Sequence, residues 1–403
     1  MRKLAFILSL LLIFTIPWED AVTIAGLYSI TRYIGIVAAA AWIVSVLLNR
    51  KVRKPHSFHI LAILFILWNV ASVIWSIALD ETIAQIKTYA QLIILILLIW
   101  DLYTTSKDLK NAMQAYILGA YVAIFATINN YILGREIKLY SGGRYAGVGN
   151  AVDLALILTL GIPIAWYLAT SSENQNIKKI LRLINLAYIP AGLFAILLTG
   201  TRMAIFAVIP AFVYIVVTSN RLKFSQRLLI FGSLICSFWF IQPYIPSSVI
   251  ARLGTTSISI ATGDLGGRVN LWLQSILYFY DNPIIGIGSG AISSPFVVGV
   301  LAHNTFLSVL TELGLIGFIL FMSMLVVTLK QAIKQNKNYA TLWVTILAIW
   351  AIGVFTLTWE YRKVTWLILT LIIVGANLRD RQNGTENKPL IIPRTDAIIK
   401  PLQ

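Results

Sequence analysis

Long apolar runs separated by short polar stretches dominate the chain. Twelve segments of this kind can be read along it: 4–17, 28–48, 58–79, 83–102, 112–133, 151–170, 180–199, 203–218, 227–244, 304–329, 339–357 and 364–378. Most approach the roughly 20 residues that an α-helix needs to cross the hydrocarbon core of a bilayer. The pattern predicts an all-α membrane protein with about 12 transmembrane helices.

Composition supports lipid as the solvent for most of the surface. The chain of 403 residues is 58% hydrophobic and 12% charged, whereas about a quarter of the residues of a soluble domain are charged. We expect one polytopic membrane domain over 1–378 and a short disordered tail over 379–403. The basic and apolar start resembles a signal peptide but lacks a small-residue cleavage site, so we interpret it as a retained first helix.

The basic residues are distributed unevenly between alternate loops. If the N-terminus is cytoplasmic, every loop on that side is basic, and the whole net charge of +16 falls there. This is the asymmetry of the positive-inside rule, so the charge indicates membrane orientation and not a nucleic-acid partner. Both termini are then cytoplasmic, and the longest loop, 245–303 between the ninth and tenth helices, lies on the outer side. Residues 266–277 within it have the apolar spacing of an amphipathic helix.

Three arginines on the outer side are candidates for binding an anion. Arg144 lies in a glycine-rich loop, Arg202 begins a helix after a tight turn, and Arg268 follows two glycines at the start of the loop helix. A guanidinium at a helix N-terminus is well suited to phosphate. The alternatives are a solvated loop arginine, an arginine that extends to the lipid headgroups, and a surface arginine on an interfacial helix.

His303 is the candidate general base, because it is the only histidine on the outer side. The sequence places it just before a helix that Asn304 or Thr305 can cap, and the helix dipole disfavours a charged imidazole there. Glu312, farther along that helix, needs a partner, for which an arginine is one candidate, and is expected to support rather than catalyse. Gly314 and Gly317 are expected to let helices approach closely. Asp264 and Asp281 remain alternative bases.

Several other functions find no support in the sequence. The outer side carries no cluster of histidine, cysteine or paired carboxylates with metal-ligand spacing. The glycine-rich stretch 286–290 follows Asn-Pro and not a strand, which is the wrong context for a nucleotide fold. We therefore expect no metal and no cofactor.

Four stretches together resemble the O-antigen ligase and O-antigen polymerase superfamily of bacterial membrane glycosyltransferases. They are Gly143-Arg144-Tyr145-Ala146-Gly147 with Asn150; Leu198-Thr199-Gly200-Thr201-Arg202; Gly267-Arg268-Val269-Asn270-Leu271-Trp272 with Asn282-Pro283-Ile284-Ile285-Gly286-Ile287-Gly288; and His303-Asn304-Thr305-Phe306-Leu307 with Glu312-Leu313-Gly314-Leu315-Ile316-Gly317. Each stretch alone is loosely defined. Their order and their common side make the resemblance specific.

The resemblance implies a fold like that of the type C membrane glycosyltransferases, in the bacterial inner membrane with a periplasmic active site. It implies transfer of a glycan from an undecaprenyl diphosphate carrier to an acceptor sugar, with inversion and without metal. Arg202 and Arg268 match arginines thought to hold the diphosphate, and His303 matches the histidine thought to activate the acceptor hydroxyl. Arg144 is a weaker candidate for the same donor site.

Two functions remain open besides a ligase that uses a lipid A core sugar or another terminal glycan as acceptor. A repeat-unit polymerase of the same superfamily would share the donor and the site and differ in the acceptor. A lipid-linked sugar flippase or transporter is a third possibility. Such proteins usually have related halves, and no internal repeat is visible here.

Overall fold

The computed structural model describes residues 1–20, 29–137, 143–147, 149–171, 179–256, 261, 267–382 and 390–391. Fourteen α-helices lie in this part of the chain: α1 (Arg2–Thr15), α2 (Ile30–Asn49), α3 (Ser57–Ala71), α4 (Leu79–Leu102), α5 (Ser106–Ile132), α6 (Ala151–Thr170), α7 (Lys179–Leu198), α8 (Arg202–Thr218), α9 (Phe224–Ile241), α10 (Ser247–Gly254), α11 (Arg268–Asp281), α12 (Thr305–Lys334), α13 (Lys337–Val354) and α14 (Lys363–Gln382). Each of the twelve apolar segments coincides with one of them. Two-residue strands, β1 (Lys51–Val52) and β2 (Leu390–Ile391), pair antiparallel.

Ten helices in the described part of the chain are long and apolar enough to cross a membrane, namely α2 to α9, α12 and α13. The first and last apolar segments form α1, which has 14 residues, and α14, which ends in the charged run Arg379-Asp380-Arg381. Large apolar side chains on the outer helices are exposed, such as Phe240 on α9 at 78%. A surface of this kind needs lipid around it, since water would not tolerate so extended an apolar area.

Two helices form the centre of the bundle. Helix α6 is buried along almost its whole length and contacts α5, α7, α8 and α13. Helix α14 is buried from Val364 to Leu378 and contacts α4, α5 and α12. Indole rings fill the space around them, with Trp166 and Trp366 fully buried. Because lipid tails are as apolar as these side chains, close packing rather than hydrophobic transfer holds such helices together.

A buried arginine closes the bundle at the end opposite the long loop. The guanidinium of Arg53 donates to the carbonyls of Trp100, at 2.8 Å, and Tyr103, at 3.2 Å, and to the amide oxygen of Asn377 on α14. It also lies 3.6 Å from the centre of the Trp100 ring. The strand pair β1–β2 lies next to this arginine in the sequence and ties the segment after α14 to the α2–α3 connection.

Helix α12 is broken at Gly314, and the segment after α11 fills the break. Gly314 has φ 64° and ψ −167°, a conformation almost restricted to glycine. The backbone of 283–288 pairs there with the freed groups of α12: Leu315 donates to Pro283 at 2.9 Å, and Gly288 donates to Glu312 at 2.9 Å. Gly314 was expected to permit close approach of helices, and it instead admits the turn after α11. The long loop is thus fastened to the membrane domain.

The fit at this break predicts that Gly314→Ala destabilises the fold. A Cβ at residue 314 would lie 2.3 Å from the carbonyl oxygen of Ile284, and alanine would also have to keep a positive φ. We expect a loss of about 1–3 kcal/mol, measured as a lower melting temperature of the purified protein in detergent. Gly232→Ala on α9 is the matched control, since a Cβ there meets nothing within 4 Å. Equal melting temperatures for the two variants would contradict this interpretation of the break.

Candidate active site

The four residues that the sequence singled out for chemistry line one cavity on the long-loop side of the bundle. Arg144, Arg202, Arg268 and His303 face a space of about 560 Å³, and a fourth arginine, Arg252, joins them. This volume is in the range of small-molecule and cofactor sites. Among the described residues that line it, none is acidic. The cavity is therefore strongly cationic.

Three helix N-termini also face the cavity. Asn150 caps α6 by accepting from the Val152 N–H at 2.8 Å, α8 begins at Arg202, and α11 begins at Arg268 after Gly267 in the left-handed conformation. The N-terminus of a helix carries unpaired N–H groups and a partial positive charge. These ends add to the four guanidinium groups, so the site favours an anion with several oxygens.

Arg144 is the most deeply buried of the four, with 2% of its surface exposed. Its Nε donates to the Thr199 carbonyl at 2.8 Å, and its Nη2 donates to the Thr201 hydroxyl at 3.1 Å. The neighbouring Tyr145 N–H donates to the Leu198 carbonyl at 2.9 Å. Arg144 thus joins the loop before α6 to the turn before α8, and it forms part of the cavity wall.

Backbone carbonyls orient the side chains of Arg202 and Arg252. Arg252 Nε donates to the Gly200 carbonyl at 3.1 Å, while Arg202 Nε donates to the Arg252 carbonyl at 3.3 Å. Arg202 also donates to the Thr255 hydroxyl at 2.6 Å. Gly200, with φ 57°, leaves room for the side chain of Arg252, because a Cβ at residue 200 would lie 3.3 Å from Arg252 Cδ. The turn before α8 therefore orients two guanidinium groups towards one space.

His303 enters the cavity from the start of α12 in a conformation that few non-glycine residues adopt. Its φ is 50°, and in the described chain only Arg50 shares a positive φ among non-glycine residues. Asn304 caps α12 by accepting from the Leu307 N–H at 3.1 Å, and the Trp272 indole of α11 donates to the Ala302 carbonyl at 3.1 Å. Strained backbone of this kind persists only when its surroundings enforce it.

The environment of His303 favours the neutral form of its imidazole. Burial lowers the pKa of His303 below its ordinary value, and the positive charge of Arg268 lowers it further. The carboxylate of Asp153 acts in the opposite direction to a smaller extent. A neutral ring can accept a proton, as a general base must.

A layer of paired polar groups supports the wall behind His303. Asp153 on α6 accepts from the Trp359 indole at 2.7 Å and from Arg362 at 2.6 Å. Thr305, at the start of α12, donates to the Leu357 carbonyl at 2.8 Å and accepts from the Trp359 N–H at 2.8 Å. Sequence reasoning assigned no role to Asp153, Trp359 or Arg362, because they belong to no matched stretch and meet only in the folded bundle. Thr305 lies in a matched stretch and was a candidate cap of α12, but Asn304 is the residue that caps this helix.

Glu312 lies away from the cavity. Its carboxylate accepts from the Gly290 N–H at 2.7 Å. The hydrogen bond that the structure describes for this carboxylate thus comes from the backbone of the long loop and not from an arginine. Of the alternative bases, Asp281 is exposed at the end of α11 and does not line the cavity. Asp264 lies outside the described residues. His303 is therefore the only titratable base among the described residues of the lining.

Arg252 is the site residue that the sequence did not reveal. It is one basic residue among several on the outer side, and none of the four resembling stretches contains it. It follows a short apolar stretch of α10, and from the sequence alone it resembles an ordinary surface residue. Only the approach of α10 to the turn before α8 brings it to the cavity.

The contacts of Arg144 predict that Arg144→Ala lowers stability as well as activity. The buried Thr199 carbonyl would lose its donor, which costs about 1–3 kcal/mol. The melting temperature in detergent should fall, and the wall of the cavity should lose its order. Arg135→Ala is the control, since it removes the same charge from an exposed position in the same loop. A native melting temperature for Arg144→Ala would show that Arg144 does not contribute to the stability of the fold.

A family model described as O-antigen ligase matches residues 187–322, which include Arg202, Arg252, Arg268 and His303. Arg144 precedes the matched region. Among curated proteins, no match to the chain was found.

Members of this family are glycosyltransferase-like enzymes of O-antigen biosynthesis, which use a lipid-linked glycan donor and a glycan acceptor. The matched region includes the turn before α8, the long loop and the start of α12, which together contribute most of the cavity. The many helices of membrane-spanning length agree with a multi-pass bacterial membrane protein. The match at residues 187–322 confirms the resemblance of this chain to the O-antigen ligase and O-antigen polymerase superfamily.

Proposed function

We propose that the protein is a ligase-type glycosyltransferase that moves a glycan from undecaprenyl diphosphate to an acceptor sugar at the periplasmic face of the inner membrane. The observation that carries the proposal is the cavity itself, in which four guanidinium groups and one neutral histidine meet without a carboxylate among its described lining residues. A diphosphate is an anion with several oxygens, so it matches this charge. A sugar hydroxyl needs a base, and His303 can serve as one.

The arginines take the part that a metal ion plays in other transferases. As the bond between the anomeric carbon and the diphosphate breaks, negative charge grows on the leaving oxygen. Arg202, Arg252 and Arg268 offer planar donor groups that match phosphate oxygens in pairs. Because backbone carbonyls already orient Arg202 and Arg252, little reorganisation is needed when the charge develops.

His303 completes the reaction on the acceptor side. The hydroxyl oxygen of the acceptor attacks the anomeric carbon from the face opposite the diphosphate, and its proton passes to the neutral imidazole. One C–O bond forms while another breaks, so the anomeric configuration inverts. Undecaprenyl diphosphate leaves, and the protonated imidazole returns its proton to water.

The acceptor distinguishes this proposal from a repeat-unit polymerase. A ligase uses a lipid A core sugar or another terminal glycan, whereas a polymerase uses a second lipid-linked repeat. Deletion of the gene separates the two through the glycan profile of the cells. Long chains that stay on the carrier indicate loss of a ligase, and short chains that are still delivered indicate loss of a polymerase.

The arginine assignment predicts that Arg202→Ala, Arg252→Ala and Arg268→Ala each lower kcat/KM by about 10²-fold or more. Lysine at these positions should restore activity only in part, because it lacks the planar fork. Arg252→Ala keeps the backbone carbonyl that accepts from Arg202, so its effect reports on the lost guanidinium. Near-native turnover of all three folded alanine variants would exclude the diphosphate site.

The histidine assignment predicts a fall of about 10²–10⁴-fold in turnover for His303→Gln. Glutamine can form hydrogen bonds but cannot accept the proton. Donor binding should stay near the native level, because the arginines hold the diphosphate. If His303→Gln retains most of its turnover, the base lies elsewhere.

The pH profile gives a second test of the same residue. Because the pKa of His303 is lowered by burial and by Arg268, the acid limb of kcat/KM should lie below pH 6.5, the ordinary value for histidine. Activity is full above the pKa of His303 and is lost as the pH falls through it. Arg268→Gln removes one cause of the lowering, so its acid limb should move to higher pH. An acid limb unchanged in Arg268→Gln would contradict the coupling of these residues.

A further inference from the structure

Two buried carboxyl groups meet where α12 packs against the segment that precedes α14. Glu312 is 5% exposed and Glu360 is 2% exposed. The Ser308 hydroxyl donates to Glu360 Oε1 at 2.9 Å, and Ser308 lies one helical turn before Glu312, on the same face of α12. The two carboxyl groups are close enough for their charges to repel each other. We call Glu312 and Glu360 the glutamate pair.

The hydrogen bonds of the glutamate pair come from neutral donors. Glu312 Oε2 accepts from the Gly290 N–H at 2.7 Å, and Glu360 Oε1 accepts from the Ser308 hydroxyl. Glu360 Oε2 is buried and has no hydrogen-bond partner among the described residues. A buried carboxylate oxygen without a donor is costly. A protonated oxygen avoids this cost, because it can donate to the neighbouring carboxylate.

No positive charge is left over to balance the glutamate pair among the described groups around it. Arg362 is the cation that acts on Glu360, and it already pairs with Asp153 at 2.6 Å and Asp20 at 3.8 Å. The other titratable side chains that face the pair are Tyr89 of α4 and Tyr361. A phenol is uncharged at neutral pH. Two ionised carboxylates here would therefore repel each other without a compensating charge.

The surroundings of Glu360 favour its protonated form. Burial raises the pKa of Glu360 to about 7. The hydrogen bond from Ser308 and the charge of Arg362 act in the opposite direction and reduce the effect of burial without cancelling it. When two carboxyl groups share a buried site, the repulsion between their charges disfavours ionisation of both.

We propose that the glutamate pair binds one proton and that this proton fastens the long loop and the first turns of α12 to the bundle. Glu312 accepts from a backbone N–H of the loop, so it keeps the charge, and Glu360 carries the proton on Oε2. Loss of the proton leaves two negative charges in a buried space. Their repulsion opposes the contact between Glu360 and Ser308 and so loosens the start of α12, next to His303.

The test is the melting temperature of the full-length protein in detergent between pH 5 and pH 8, for the native protein and Glu360→Gln. Because the fold raises the pKa of Glu360, its contribution to stability is complete below the ordinary glutamate value. That contribution is lost as the pH rises through the pKa in the fold. Glutamine stays neutral throughout and can still donate to Glu312. The melting temperature of Glu360→Gln relative to the native protein should therefore rise by about 2–5 °C across this range.

Glu19→Gln is the matched control, because it is the same substitution on the same side of the bundle in a glutamate paired with Lys363 at 2.5 Å. Its melting temperature should differ from the native one by a constant amount from pH 5 to pH 8. Glu312→Gln should instead reduce the pH dependence, as Glu360→Gln does, because either substitution leaves one ionisable group. Parallel curves for Glu360→Gln and the native protein overturn the proposal.

Infrared difference spectroscopy observes the proton directly and needs no stable variant. At pH 6 the native protein should show the carbonyl stretching band of a buried protonated carboxyl group, which disappears as the pH rises above the pKa of Glu360. Absence of the band at pH 6 overturns the proposal. Where Glu360→Gln folds, it should lack the band, and a band that persists in it assigns the proton to another group and also overturns the proposal.

A sodium ion is the alternative way to neutralise the glutamate pair. Sodium chloride and choline chloride at equal concentration should give the native protein the same melting temperature at pH 6. Stabilisation by sodium in the native protein and not in Glu360→Gln means that an ion, and not a proton, occupies the pair, and the proposal is then wrong. None of these readouts depends on glycan transfer, so their failure leaves the proposed function untouched.

Discussion

The structure around the cavity depends on one electrostatic constraint, the repulsion between guanidinium groups that share a partly buried space. Like charges in such a place raise the free energy of the fold unless oxygen acceptors surround them. Backbone carbonyls provide that environment here, with Thr199 accepting from Arg144, Gly200 from Arg252 and Arg252 from Arg202. No carboxylate among the described lining residues neutralises the group. The described lining of the cavity therefore carries net positive charge, which suits an anionic substrate.

One segment of the long loop is inserted into a broken helix and fastens the loop to the bundle. Residues 283–288 pair with the backbone of α12 on both sides of Gly314, and Glu312 accepts from the Gly290 N–H. The same helix begins at Thr305, next to His303. A single element therefore fixes both the loop that carries Arg268 and the histidine. This arrangement explains why sequence features as far apart as Asn282-Pro283 and Gly314 serve one site.

Much of the fold could be predicted from the hydrophobic pattern, because segments of membrane length have few alternatives to helices. The central position of α6 and α14 could not, since a helix buried in protein and one facing lipid are equally apolar. The break at Gly314 was also beyond prediction, because a glycine within an apolar run is compatible with close helix packing.

The cavity was predictable to the extent that its residues lie in recurrent stretches. Arg202, Arg268 and His303 each stand beside a turn or a helix start, and the structure brings them together with Arg144. Arg252 escaped prediction because a tertiary contact, and no local pattern, brings it to the cavity. The burial of Glu312 could be foreseen from its position within an apolar helix. Its partner, the Gly290 N–H, could not, because that contact depends on how the long loop returns to the helix.

The central claim is that these groups perform a chemical transfer and do not merely move a lipid. The most direct measurement uses the purified full-length protein in detergent, with an undecaprenyl diphosphate-linked glycan, an acceptor glycan and no membrane gradient. We expect an acceptor product with inverted anomeric configuration and one released undecaprenyl diphosphate for each glycan transferred. A folded protein that binds the donor, forms no product under these conditions, and moves the same lipid across vesicle membranes would contradict it.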